Sequence, residues 1–147
     1  MPVIIKEFSW HQTSTSVFIV IPLRKVPPSC INCLFAENYC KITYRAFIFE
    51  AFFPHSIAFE RTRCIYSENQ AVFEFAKNDP GNTWNRLCLG DELSKDEKRI
   101  IRQNAIDSNI AYHKRYFSYI CNFIYFFELI LFHLPFPKLI KSRRKSD

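Results

Sequence analysis

The side chains most capable of chemistry in this 147-residue chain are six cysteines (Cys30, Cys33, Cys40, Cys64, Cys88, Cys121) and four histidines (His11, His55, His113, His133). One spacing has the form of a metal or redox motif, Cys30-x-x-Cys33. A structural zinc site needs four ligands, as two such pairs or as one pair with spaced histidines. Here the histidines stand apart from one another. The pair is therefore read as strand or loop cysteines, with metal or redox chemistry as the lesser alternative. Cys40 and Cys64 fall inside apolar strand patterns, where a thiol behaves as a small hydrophobe. The paired acids Asp91-Glu92 and Asp96-Glu97 have the composition of an acid–base site. They also precede a helical pattern, where carboxylates favour the positive end of the helix dipole. No Ser, His or Cys has a recognisable catalytic companion. Only two glycines occur, Gly81 and Gly90, far too few for a phosphate-cradling loop or a nucleophile elbow. The expectation is a protein that is not an enzyme, with no cofactor and no bound metal.

The elements holding these residues are read mainly as strands. In Phe8–Leu23, Val17, Ile19, Ile21 and Leu23 fall on one face, while Phe18 and Val20 make the other face apolar too. A strand apolar on both sides is expected between neighbours and covered on both faces. Pro22 marks its end. Further strands are expected over 3–10, 31–35, 39–44, 46–53, 61–66 and 70–76. Glu37-Asn38 makes a two-residue hairpin turn, and Asn78-Asp79-Pro80-Gly81-Asn82 breaks the pattern. Seven short strands with regular turn signals predict a mainly β fold, a seven-stranded antiparallel, immunoglobulin-like β-sandwich over 1–90. Ser94-Lys95-Asp96-Glu97 has the spacing of a capping box, so a helix is expected over about 95–115 within a segment 91–115. Its apolar stripe, Ile101, Ala105, Ile106 and Ile110, is narrow, and weak docking or none is expected. An apolar then basic tail follows over 116–147.

The net charge of +6 comes largely from Lys138, Lys141, Arg143, Arg144 and Lys145 in that tail. Nucleic-acid binding is not expected, because the nearby aromatic residues form a continuous run and not a stacking platform interleaved with charge. Phe117–Phe136, about twenty residues long, has the length of a membrane span, but Glu128 lies within it at a cost of about 2.5–3.5 kcal/mol on insertion scales. Membrane insertion or surface association stays open beside a poorly ordered, aggregation-prone tail.

Phe8-Ser9-Trp10-His11-Gln12-Thr13, the Val17–Leu23 strand, Ala36-Glu37-Asn38-Tyr39, Phe47-Ile48-Phe49-Glu50-Ala51-Phe52 and Thr83-Trp84 resemble the CS domain. This sandwich is shared by small co-chaperones of heat-shock protein 90, Sgt-type adaptors and nuclear-distribution C proteins. The resemblance covers about Met1 to Ala111. It implies a non-catalytic adaptor in the cytoplasm, with the nucleus also open, that brings heat-shock protein 90 and heat-shock protein 70 chaperones to clients. The branch most resembled implies dynein-arm assembly clients, cilium motility and neuronal migration. Chaperone contact in this family is through an open sheet face, and the matching positions include Trp10 and Lys77. Trp84 and Arg86 are further candidates. Both tryptophans have the alternative of core packing, and Lys77, Lys41 and Arg86 that of solvated surface charges. Full-length relatives continue with a charged helix and a tetratricopeptide array. After Ala111 this chain departs from them, which suggests a truncated or alternative isoform; a tail-anchored protein carrying the sandwich as a passenger is the rival expectation.

Overall fold

The structure, a computed structural model, describes residues 1–133, with side chains through Tyr119 and at Ile124. Eight strands and one helix follow in order: β1 Val3–Ile4, β2 Ser9–Gln12, β3 Ser16–Pro22, β4 Ile31–Ala36, β5 Tyr39–Tyr44, β6 Phe47–Phe52, β7 Ile57–Tyr66, β8 Gln70–Lys77 and α1 Lys95–His133. They build two four-stranded sheets, ordered β1-β6-β5-β4 and β2-β3-β8-β7. All pairings are antiparallel except β1 with β6, which is parallel. The mainly β sandwich and its following helix are as expected, with one strand more. The expected first strand is two: β1 adds to one sheet, and the chain then crosses to pair β2 with β3 in the other. A hydrophobic pattern reports a strand's faces but not which sheet it joins.

The core follows directly from period-two alternation. Val17, Ile19 and Ile21 of β3, Cys40 and Ile42 of β5, Phe49 and Ala51 of β6, and Ala71, Phe73 and Phe75 of β8 meet between the sheets. Each fully buried Phe contributes about 2–3 kcal/mol through apolar area removed from water. Phe53, Trp84 and Leu87 close one end of this core. Glu37-Asn38 joins β4 to β5 as expected, with Ala36 opposite Tyr39.

Three expectations are corrected. First, β3 is central, but Phe18 and Val20 are only half-buried, because in a two-layer sandwich the outer face of a sheet meets solvent unless something lies across it. Second, the strand expected over 61–66 begins earlier, at Ile57, and the pairing of β7 jumps from Ala58↔Ala76 to Arg63↔Glu74. The extra residues bulge out of register, so alternation fails there and the segment does not read as a strand. Third, α1 is docked. Ala105 is buried against Ala36, Tyr39 and Phe52, on the outer face of the β1-β6-β5-β4 sheet. Asn109 Nδ2 donates to the Phe35 carbonyl at 2.5 Å. A small side chain at the contact permits close approach, so a narrow stripe is sufficient.

The capping box forms as its spacing predicts: Ser94 N–H donates to Glu97 Oε2 at 2.7 Å, and Glu97 N–H to Ser94 Oγ at 3.2 Å. The helix continues well past Arg115, and no glycine or proline falls between Gly90 and Pro135 to stop it. The chain forms two compact units, Met1–Ala111 and Tyr112–Asp147. The first holds both sheets. In the second, Tyr112 stacks on Tyr116 with ring centroids 6.4 Å apart. Among the described residues no helix is long and apolar enough to cross a membrane. The span expected at Phe117–Phe136 and the basic tail after it lie largely outside the described side chains.

Candidate protein-binding surface

Three of the sequence-predicted residues belong to the interior. β8 alternates inward at Ala71, Phe73 and Phe75, and the same period carries Lys77 inward, where it is 4% exposed. Its Nζ donates to Gln12 Oε1 at 2.9 Å, the Thr13 carbonyl at 2.9 Å and the Asn82 carbonyl at 2.6 Å. Gln12 also bridges to Trp84: its Nε2 donates to the Trp84 carbonyl at 2.7 Å, and Oε1 accepts the Trp84 N–H at 2.8 Å. The three residues make one cluster that ties the β2–β3 turn and the segment after β8 to the end of the sandwich. Trp84 is 2% exposed, with its ring 5.4 Å from Phe53 and 5.8 Å from His55. Trp10 pairs with Ile19 on the inner side of its sheet and packs on the core. Neither Trp10 nor Lys77 presents its side chain on an open sheet face. Arg86 stands apart from them, exposed, in a bidentate pair with Glu92 that includes an Nη2–Oε2 contact of 2.8 Å. Lys41 lies on β5 of the opposite sheet, across from Glu50.

The two outer faces of the sandwich differ. The β1-β6-β5-β4 sheet is covered in part by α1, and Glu50 fixes that contact. Its carboxylate accepts Arg102 Nε at 2.7 Å and Nη2 at 2.8 Å, and the Tyr39 hydroxyl at 2.6 Å. Burial works against the charge, but the Arg102 and Tyr39 hydrogen bonds outweigh it and hold the Glu50 carboxyl below its ordinary range. Burial, and then the bond to Glu50, raise the Tyr39 hydroxyl in turn. Arg102 also lies 5.5 Å over the Phe52 ring.

The β2-β3-β8-β7 sheet carries a different outer face. Register places Ser9, Val20, Val72 and Ile65 in one cross-strand row, and His11, Phe18, Glu74 and Arg63 in the next. Ile65 is 63% exposed, while Phe18, Val20 and Val72 are half-buried. The His11 ring stacks on Phe18 at 4.7 Å. Ser16, in the row beyond, donates from Oγ to Glu74 Oε1 at 3.1 Å. This is an apolar strip flanked by polar and charged groups, the composition of a protein-recognition patch. Sequence reasoning did not select it as a site; the signal was the second apolar face of β3. Among the described residues no group of three His, Cys, Asp or Glu gathers as a metal site, and the middle of these rows, at Phe18, Val20 and Val72, is apolar. What they offer is shape, apolar area and a few charges.

These features define a class, a β-sandwich with the start of a helix packed on the outer face of one sheet and an apolar strip on the outer face of the other. Over 106 residues the chain is homologous to dynein axonemal assembly factor 4: it is 30% identical to the proteins of Pongo pygmaeus and Pan paniscus and 29% identical to that of Mus musculus. The match takes in 72% of this chain and 25% of each relative, so the chain spans about a quarter of the length of the curated relatives it matches. No family model matches. Among solved structures, a nuclear movement protein from E. cuniculi GB-M1 superposes with a TM-score of 0.49 at 14% identity, covering 56% of this chain and 98% of that one. The CS domain of the human KIAA1068 protein gives a TM-score of 0.49 at 15% identity, covering 56% of this chain and 73% of that one.

Proposed function

We propose that this chain is a non-catalytic co-chaperone adaptor whose open β2-β3-β8-β7 face docks a heat-shock protein 90 chaperone, in the service of axonemal dynein assembly. The observation that carries the docking surface is the strip of exposed Ile65 and half-buried Phe18, Val20 and Val72 on the outer face of the sheet opposite the one that Ala105 packs on. Support for the client comes from the homology to an assembly factor named for axonemal dynein, and support for the chaperone from the resemblance to CS domains. Heat-shock protein 70, a role in neuronal migration and a cytoplasmic place of work belong to the same reading. An apolar strip in a polar frame gives modest affinity and fast exchange, which suits delivery of clients more than permanent assembly. The test is titration of the full chain with heat-shock protein 90. Ile65→Glu and Phe18→Glu are expected to weaken binding at least tenfold, while Arg86→Glu, outside the face, leaves it within twofold. Equal affinities for all four proteins would refute the surface.

A further inference from the structure

Cys33 and Cys64 belong to β4 and β7, the outer strands of opposite sheets, and those two edges lie together along one side of the sandwich. Alternation turns both thiols toward the interior. Cys33 sits between Ile31 and Phe35, which pack on the core, and Cys64 packs there with Tyr66. The two thiols lie close enough to perturb each other's ionisation, and Tyr66 acts on Cys64 as well; Phe35, two residues along β4 from Cys33, meets Phe73, the β8 partner of Cys64, with ring centroids 6.2 Å apart. Cys33 is exposed and Cys64 half-buried, so a small solute reaches them, unlike Cys40, which is fully buried. Cys88 is engaged elsewhere, its Sγ accepting the Phe52 and Gly90 N–H groups at 3.3 Å each.

We propose that Cys33 and Cys64 form a peroxide-sensitive dithiol that closes to a disulfide across the seam between the two sheets. The neighbouring Cys33, helped by Tyr66 and opposed by burial, brings the Cys64 thiol down to about 7, while Cys64 and burial raise Cys33. Cys64 is then the nucleophile and Cys33 the resolving thiol. The Cys64 thiolate attacks one oxygen of hydrogen peroxide; an S–O bond forms, the O–O bond breaks, and hydroxide leaves and takes up a proton as water. The Cys33 sulfur next attacks the sulfenic sulfur, the S–O bond breaks, and the hydroxyl leaves with the Cys33 proton as a second water. Two thiols and one peroxide become one disulfide and two waters, with two electrons passing from sulfur to oxygen. The new S–S bond, about 2.05 Å long, joins two strands whose edges are already adjacent.

The test uses the reduced full chain, treated with one equivalent of hydrogen peroxide, alkylated, digested without reductant and mapped by mass spectrometry. The expected product joins the peptide containing Cys33 to that containing Cys64, at a mass lower by two hydrogens. It persists in Cys30→Ser and vanishes in Cys33→Ser and Cys64→Ser. In Cys33→Ser, a sulfenic-acid trap labels Cys64; in Cys64→Ser, Cys33 stays unlabelled. Alkylation of Cys64 in the wild type follows a pH profile with its midpoint near 7, which moves upward in Tyr66→Phe. A Cys30–Cys33 bond, a link between chains, or Cys64 oxidised further without a cross-link would each overturn the proposal. So would a Cys64 midpoint at the ordinary thiol value of about 8.5.

Discussion

Replacing Lys77 by Met keeps the aliphatic stem and removes Nζ, which separates a structural role from a binding one. Three acceptors lose that donor: the Thr13 and Asn82 carbonyls and Gln12 Oε1. Gln12 Oε1 keeps the Trp84 N–H, so two carbonyls bear the main loss. Each part-buried acceptor left bare costs about 1–2 kcal/mol, and the weakened third bond adds roughly 0.5–1 kcal/mol. Relief from burying Nζ offsets part of this. The net expectation is a loss of about 2–4 kcal/mol. For a urea m value of roughly 1–1.5 kcal/mol/M, the unfolding midpoint falls by roughly 1.3–4 M. The assay is equilibrium urea unfolding followed by tryptophan fluorescence, which reports on Trp84 beside the lost bonds. A loss under about 0.5 kcal/mol would refute the reasoning, since it would mean that water already satisfies these groups and that Lys77 is free to meet a partner.

Other consequences follow from the same contacts. Gln12→Ala removes both bonds to Trp84 and one to Lys77, and is expected to cost about 2–3 kcal/mol; combined with Lys77→Met in a double-mutant cycle, the losses should fall short of their sum by at least about 0.5 kcal/mol. Glu50 has a folded-state value below its unfolded one, so its stabilising effect is present above the ordinary carboxylate range and is lost as pH falls through the folded value. Discounted for the 23% and 44% exposure of the Glu50 and Arg102 side chains, that effect is about 0.5–1.5 kcal/mol; unfolding midpoints of the wild type and Glu50→Gln should differ at pH 7 and draw together as pH falls below the ordinary carboxylate range. Ala105→Glu places a carboxylate at a position 1% exposed, and should undock the start of α1, read as faster amide exchange over 95–111 at a cost of about 3 kcal/mol. Arg45 has φ 49° at the first position of the β5–β6 turn, so Arg45→Gly should raise stability by about 0.5–1 kcal/mol in the same urea assay.

The sandwich was legible because most strands alternate cleanly and their turns are short. Val17, Ile19 and Ile21 in β3 and Phe73 and Phe75 in β8 needed only the period-two rule. That rule also carries Lys77 inward one step past Phe75, yet residue type suggested a surface charge. Only the three-dimensional meeting with Gln12 and Asn82, 65 and 5 residues away, explains a lysine there. The parallel β1–β6 pairing and the β7 bulge are non-local, and leave no period to read. The candidate surface was half visible. The second apolar face of β3 was noticed, but a helix was needed to show which sheet is covered, and the helix docks through Ala105 together with the polar Arg102 and Asn109, which leave little periodic apolar signal.

The most direct measurement is amide hydrogen exchange of the full chain with and without heat-shock protein 90. Docking through the bare sheet predicts added protection concentrated in Ser16–Pro22, Ile57–Tyr66 and Gln70–Lys77, with 95–111 unchanged. Protection confined to the helix or to the β1-β6-β5-β4 sheet, or no change at saturating chaperone, would contradict it.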